Sequence, residues 1–339
     1  MSKSKVFVGL DYHKDSVQVC VMDVSGKVIS NKRTGNHWRE ISEVFPDSDA
    51  FEVCAALESS TGASDLADEL VHQAGWSVDQ AHPGYVSRIK QSPDKTDFSD
   101  AQLLADLERV GYLPRVWHPP VFIRELRRLV RYRQQLVARR RATKLRIRAL
   151  LRDHRIVDPK AFKPWTKGWL AWLQNLDQLP EGSRWIMDQL LQELQEVIGK
   201  IARVEQRLVA TVEQDRLFEH LLKQKGVGFI TAVTMRAEIG RFDRFRSGKQ
   251  LSRFCGLSPR NESSGKRQAT AGVIKAGNSE LRRVIVELAQ RLANYDPHYC
   301  AMANKMQAAG KRKCVAIAAI ANRWVRRQYH QLKEIGLAA

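Results

Sequence analysis

The chain reads as an α/β N-terminal domain followed by a predominantly helical remainder. Three observations predict this. Short β-branched runs with period-two alternation are confined to the first eighty or so residues. From Phe122 onward, apolar residues instead recur at spacings of three and four. The charge divides near the same place. Residues 1–110 hold 11 Lys/Arg against 18 Asp/Glu, so of the chain's 56 basic and 37 acidic side chains, 45 and 19 fall in residues 111–339. The first region carries −7 and the second +26, within a total of +19.

Lys5-Val6-Phe7-Val8-Gly9-Leu10-Asp11 is a β-branched and aromatic strand ending in an acid. Ser16 to Met22 alternates as a second strand, Ser25-Gly26 marks a tight turn, and Lys27 to Ser30 begins a third. Phe51 to Glu58 is another strand ending in an acid. Ser59-Ser60-Thr61-Gly62 follows it, then a helix through Leu66, Leu70 and Val71. Trp76 to Ala81 makes a fifth strand, and Asp100 to Leu107 closes the region as a helix. Three strands followed by alternating helix and strand, with acids at strand C-termini, form an arrangement of the RNase H type.

From Phe122 to about Arg155 the pattern is helical and arginine-dense. Arg124, Arg127, Arg128, Arg131, Arg133, Arg139, Arg140, Arg141, Lys144, Arg146, Arg148 and Arg152 face only Glu125 along the helix, which points to a polyanionic partner. Prolines 159 and 164 break it, and Trp165, Trp169 and Trp172 read as helix packing. Met187, Leu190, Leu194, Val197, Ile201, Val204 and Leu208 then keep the coiled-coil period. That seam requires a partner helix, either the basic helix or another subunit. Leu221 to Ala232, with Lys225-Gly226-Val227-Gly228 at its centre, resembles a helix-hairpin-helix, whose exposed backbone N–H groups suit phosphate. Later segments are basic: Lys266 and Arg267, Lys275, Lys311 to Lys313, and Arg323, Arg326 and Arg327. These features divide the chain into residues 1–112, 113–216 and 217–339.

Several classes are excluded. No apolar run approaches the roughly 18–20 residues that span a bilayer. The N-terminal Met-Ser-Lys-Ser-Lys enters a strand without a signal-peptide core, so the expectation is a cytoplasmic protein of the prokaryotic cytosol and nucleoid, without a membrane partner. Cys20, Cys54, Cys255, Cys300 and Cys314 are dispersed without metal-ligand spacing and read as thiols. There is no Gly-x-Ser-x-Gly elbow, no His-Glu-x-x-His and no P-loop lysine.

Asp11, Glu58, Asp97 and Asp100 carry the chemistry. Two strand-end acids and two acids one helical turn apart can converge at one end of a sheet. Such a set can hold two divalent ions for phosphodiester chemistry. Oxygen ligands favour Mg²⁺, with Mn²⁺ as a substitute. Taken singly, Asp11 is equally explained by turn chemistry and Asp97 by helix capping. His13, two residues past Asp11, is within reach of the site, with a strand-end surface position as the expectation.

Five motifs in order carry a resemblance: Gly9-Leu10-Asp11, Leu57-Glu58-Ser59-Ser60-Thr61-Gly62, Lys95-Thr96-Asp97 with Asp100-Ala101, Gly256-Leu257-Ser258-Pro259, and Lys275-Ala276-Gly277-Asn278. Together they are similar to the DEDD insertion-sequence transposases over essentially the whole chain. The resemblance implies a RuvC-like catalytic domain over 1–112, a basic helix and coiled coil over 113–216, and a C-terminal transposase domain over 217–339. It implies Asp11, Glu58, Asp97 and Asp100 as the metal-binding tetrad. It also implies a serine nucleophile at Ser264 that forms a covalent phosphoserine with DNA. Asn261-Glu262-Ser263 stands where the family often has an aromatic residue, which keeps Ser263 as an alternative. Further implications are a structured bridge RNA pairing with donor and target DNA, and dimers assembling into a tetramer whose acid sites are completed by another subunit's serine. The expected nucleic-acid contacts are Arg128, Arg131, Arg139, Arg140, Arg141, Lys144, Lys225, Gly226, Gly228, Lys266, Arg267 and Lys275. The alternatives are a RuvC-like structure-selective nuclease and a non-enzymatic nucleic-acid-binding scaffold.

Overall fold

The computed structural model describes residues 3–45, 50–89, 96–261, 270–273 and 277–334. The chain divides into two compact units, Met1–His118 and Pro119–Ala339. The first is mixed α/β and the second almost entirely helical.

In the first unit β1 (Ser4–Tyr12), β2 (Ser16–Met22) and β3 (Val28–Gly35) form an antiparallel meander. Helix α1 (Trp38–Glu43), β4 (Phe51–Glu58), α2 (Ala63–Ala74), β5 (Ser77–Ala81), α3 (Pro83–Ile89), α4 (Asp97–Arg109) and the two-residue β6 (Arg115–Val116) follow. The sheet order is β3-β2-β1-β4-β5-β6, with β1/β4 and β4/β5 parallel and β6 antiparallel at the edge. This topology is compatible with an RNase H-like domain. Strand periodicity was sufficient to find β1, β2, β4 and β5. The two-residue β6 and the six-residue α1 are too short to leave a periodic signal.

Alternation along β1 assigns its two faces. Val6, Val8 and Leu10 join Val17, Val19, Val21, Val53, Ala55 and Leu57 in a core with α1 and α2. The opposite face is lined by small residues where α4 crosses it. Ala56, Ala81, Cys20, Ala101 and Ala105 are each at most 1% exposed. A Cβ on Gly9 would lie 1.8 Å from the Ala101 carbonyl oxygen, so only glycine lets α4 approach β1 this closely. Burial there also pushes the Cys20 thiol up to about 11, which leaves it inert.

The second unit contains α5 (Val121–Asp153), α6 (Lys167–Gln174), α7 (Glu181–Val212), α8 (Arg216–Leu222), α9 (Phe229–Ile239), α10 (Gly248–Phe254), the hairpin β7 (Pro259–Asn261) and β8 (Thr270–Val273), α11 (Ser279–Tyr295), α12 (Pro297–Ala308) and α13 (Lys313–Leu332). The α7 seam finds its partner within the chain. Val197 to Val212 share a core with Leu126, Val130 and Leu136, while Met187 and Leu194 share one with Ile147 and Leu151. The two helices therefore pack antiparallel, and α5 is the partner that the heptad period requires. Trp169 is fully buried in the same packing, beside Trp165 and Trp172. Among the described residues, no helix is long and apolar enough to cross a membrane.

Candidate active site

The register of the sheet brings two of the acids to neighbouring strand ends. Leu10 pairs with Leu57 as the last registered pair of β1 and β4, and Asp11 and Glu58 are the next residue on each strand. Both alternate onto the face that Gly9 and Ala56 open to α4. The N-terminus of α4 then supplies the other two. Thr96 caps it in a reciprocal capping box: its hydroxyl accepts from the Ser99 N–H at 3.2 Å, and the Ser99 hydroxyl accepts from the Thr96 N–H at 3.4 Å. This start leaves Asp97 and Asp100 one turn apart in the first helical turn, where the helix dipole favours carboxylates. A side-chain relay anchors the same turn to the sheet. Gln18, opposite Asp11 on β2, donates to Asn31 at 2.7 Å, and Asn31 donates to the Phe98 carbonyl at 3.2 Å.

His13 lies within this cluster. Its Nε2 is 3.2 Å from Asp11 Oδ2 and 3.5 Å from Asp97 Oδ1. One ligand atom from each of Asp11, His13 and Asp97 falls within 4.8 Å of the others. His13 is exposed just past the end of β1, as expected of a strand-end histidine, and it also touches the site. Burial holds the Asp11 carboxyl above its ordinary range, His13 opposes this, and the neighbouring Asp100 and Asp97 charges add to it. A bound cation would relieve that crowding, and carboxylate oxygens with one imidazole are a donor set for a hard or borderline divalent ion. The residues present fit such an ion.

Gly62, after the Glu58 strand end, has φ +89° and precedes α2. A Cβ there would sit 2.1 Å from the Tyr12 hydroxyl, so Gly62 lets the loop after Glu58 close on the residue that follows Asp11.

In the second unit the C-terminal motifs staple one another. A Cβ on Gly277 would meet the Gly256 backbone nitrogen at 2.3 Å. The Asn278 N–H donates to the Phe254 carbonyl at 2.9 Å, and its side chain caps α11 while donating to Glu238 at 2.9 Å. Glu238, 3% exposed, receives both Arg131 donors at 2.9 Å. These contacts fix the base of the β7/β8 hairpin. Ser264, Ser263, Lys266, Arg267 and Lys275 lie outside the described residues.

The reading of α5 as a face opposed only by Glu125 requires correction. Arg128 pairs with Glu125, Arg131 with Glu238, Arg133 with Glu205 at 2.7 Å, Arg139 with Glu193 at 2.7 Å and Arg148 with Asp158. Arg127 donates to the Ala237 and Glu238 carbonyls. The acids arrive from α7, α9 and the segment after α5, which spacing along one helix does not reveal. Lys144 lies over the Trp165 ring at 4.4 Å, and burial, aided by Arg140, lowers its pKa. Arg140 and Arg141 make no ion pair among the described residues. In the α8–α9 turn, Gly226 and Gly228 are exposed, with Gly226 at φ +78° and Gly228 at the start of α9, while Lys225 pairs with Asp296 at 3.0 Å.

Comparison with known sequences yields two family matches. A transposase family of the IS110 DEDD type matches residues 8–156, and the family described as Transposase IS116/IS110/IS902 matches residues 218–303. Among individual relatives, the transposase for insertion sequence element IS1111A of Coxiella burnetii is 26% identical over 289 residues, covering 85% of this chain and 78% of that protein. A probable family 20 transposase of Pseudomonas aeruginosa is 27% identical over 285 residues, 82% of this chain and 81% of its own length. A putative transposase of Sinorhizobium fredii is 32% identical over 220 residues, 65% of this chain and 54% of that protein.

Proposed function

Because the chain belongs to the IS110 family of DEDD transposases, enzymes of DNA recombination, we propose that it cleaves and rejoins DNA strands site-specifically by pairing the acid cluster with a serine nucleophile. The observation that carries the reading is the convergence of Asp11, Asp97 and His13, with the Asp100 charge felt at Asp11, on one strand-end site. In this reading the first unit is an RNase H/RuvC-like catalytic domain. Asp11, Glu58, Asp97 and Asp100 hold Mg²⁺, two ions in all, with Mn²⁺ as a substitute. The ions supply neutralisation of the scissile phosphate and lower the pKa of oxygen donors beside it.

Ser264 is the nucleophile, with Ser263 as the alternative. Its oxygen bonds to phosphorus and displaces one DNA oxygen, which leaves as a strand-end hydroxyl and takes a proton. A hydroxyl of the recombining strand then displaces the serine, restoring the phosphodiester. Lys266 and Arg267 stabilise charge on the transferring phosphate. Residues 113–216 supply a basic helix and coiled coil, and residues 217–339 carry the serine, with Lys225, Gly226, Gly228 and Lys275 on the phosphate backbone. A structured bridge RNA selects donor and target DNA, and the protein works as a dimer or tetramer in the prokaryotic cytosol.

Trapping tests this. The protein, Mg²⁺, RNA and substrate DNA are incubated and denatured. A covalent protein–DNA adduct that disappears in Ser264→Ala supports recombination through that serine. Cleavage that survives the change favours a nuclease in which water attacks. Cleavage and joining both intact in Asp11→Ala would exclude the acid cluster.

A further inference from the structure

Helix α13 carries a second arginine stripe whose surroundings differ from those of α5. Arg323, Arg326, Arg327 and His330 occupy positions i, i+3, i+4 and i+7, hence one helical face, and together line an open groove of about 390 Å³. All four are exposed, and none has an ion pair or hydrogen bond among the described residues. The opposite face, from Ala316 through Trp324 and Val325 to Leu332, is buried in the core of the unit. The helix therefore cannot roll to hide the stripe.

No acid occurs anywhere in α13, from Lys313 to Leu332. Like charges at these spacings destabilise a helix. The helix's own carbonyl dipole favours cations only over its last turn, which holds His330 and leaves Arg323, Arg326 and Arg327 unexplained. A neighbouring element extends the positive surface. Gly248, at the start of α10, approaches α13 so closely that a Cβ would lie 3.1 Å from Arg326 Cα. Around that crossing α10 contributes Lys249 and Arg253, and the residue before its cap contributes Arg246. All three are exposed and without an ion pair among the described residues.

We propose that this α13 groove, extended by α10, grips a phosphodiester backbone. The inference rests on the reading of the chain as a nucleic-acid enzyme. Guanidinium groups suit phosphate because their planar donors can bind it in pairs. The stripe runs about 10 Å along the helix, the length of roughly three nucleotide steps on one strand of a duplex. On α5, by contrast, Arg131, Arg133 and Arg139 already hold acids.

The test measures binding of a labelled random-sequence DNA duplex and of a labelled RNA hairpin across roughly 50–200 mM salt. The variant is Arg323→Gln/Arg326→Gln/Arg327→Gln. The control removes equal charge from the exposed Lys160, Lys163 and Lys167 by substitution to Gln. For duplex DNA the slope of log affinity against log salt should shrink in magnitude by about 0.9 per lost contact, a total decrease of about 2.7 for three. For the RNA hairpin it should fall by about 0.7 for each lost contact to its single-stranded loop. The control should leave either slope near wild type, and the triple Arg→Lys variant should retain it. A fall on only one probe assigns the groove to that nucleic acid. An unchanged slope, a fall no larger than the control's, or failure of a folded Lys variant to retain it would overturn the proposal. If the wild type itself binds neither probe, the nucleic-acid reading falls first.

Discussion

The acids at the strand ends and the acids of the helical unit have opposite surroundings. In the helical unit Glu193, Glu205, Asp215, Glu238 and Asp243 each sit on an arginine. At the strand ends Asp11 and Asp97 crowd each other and Asp100, with His13 between them. Opposite charges that meet in a fold are already neutralised and hold elements together. Like charges held together by a rigid sheet and a capped helix raise the energy of the folded state until a cation arrives. The same residue types are thus structural where they meet arginine and poised for ligand in the cluster around Asp11.

This contrast predicts mutational effects of opposite sign. The largest should come from Asp215→Ala. Asp215 accepts from Arg236 at 2.6 Å with both side chains largely buried, and it also caps α8 by accepting from the Phe218 N–H at 2.8 Å. Removing it strands a buried arginine, and denaturant titration should show a loss of about 3–5 kcal/mol. A loss below about 1 kcal/mol would mean that such pairs are incidental. Next comes Gly9→Ala, which drives a methyl group into the Ala101 carbonyl. Unit 1 should lose about 3 kcal/mol or more as α4 is pushed away. An unchanged melting temperature would show that α4 does not dock where the site requires it.

Asp11→Asn should do the reverse. The folded pKa of Asp11 is raised, chiefly by burial. Ionising it therefore disfavours folding, a penalty absent below the unfolded carboxylate range and complete once pH exceeds the folded value. Without divalent ions, the variant should match wild type in acid and melt higher than wild type near neutrality, as followed by thermal denaturation across pH. A variant that melts lower at neutral pH would show that Asp11 is instead well compensated.

The sequence made the sheet and the acids legible because both are local signals. Alternation marks β1, β2, β4 and β5, and an acid closes β1 and β4. The paired arginines were not legible, because Glu193 lies 54 residues from Arg139 and Glu238 lies 107 from Arg131. Counting charge along α5 therefore overstated its free cations. Gly9 carried the information about the α4 crossing, but a lone glycine in a strand does not say what approaches it. His13 was legible as a strand-end residue within reach of the site from its place two residues past Asp11.

The most direct test of the central claim, that the crowded carboxylates are a divalent-cation site, is calorimetric titration of the full chain with Mg²⁺ and with Mn²⁺, repeated on Asp11→Asn and Asp97→Asn. The account predicts saturable binding by wild type, accompanied by a rise in melting temperature, and loss of both in each variant. Equal binding by the variants, or none by wild type, would contradict it.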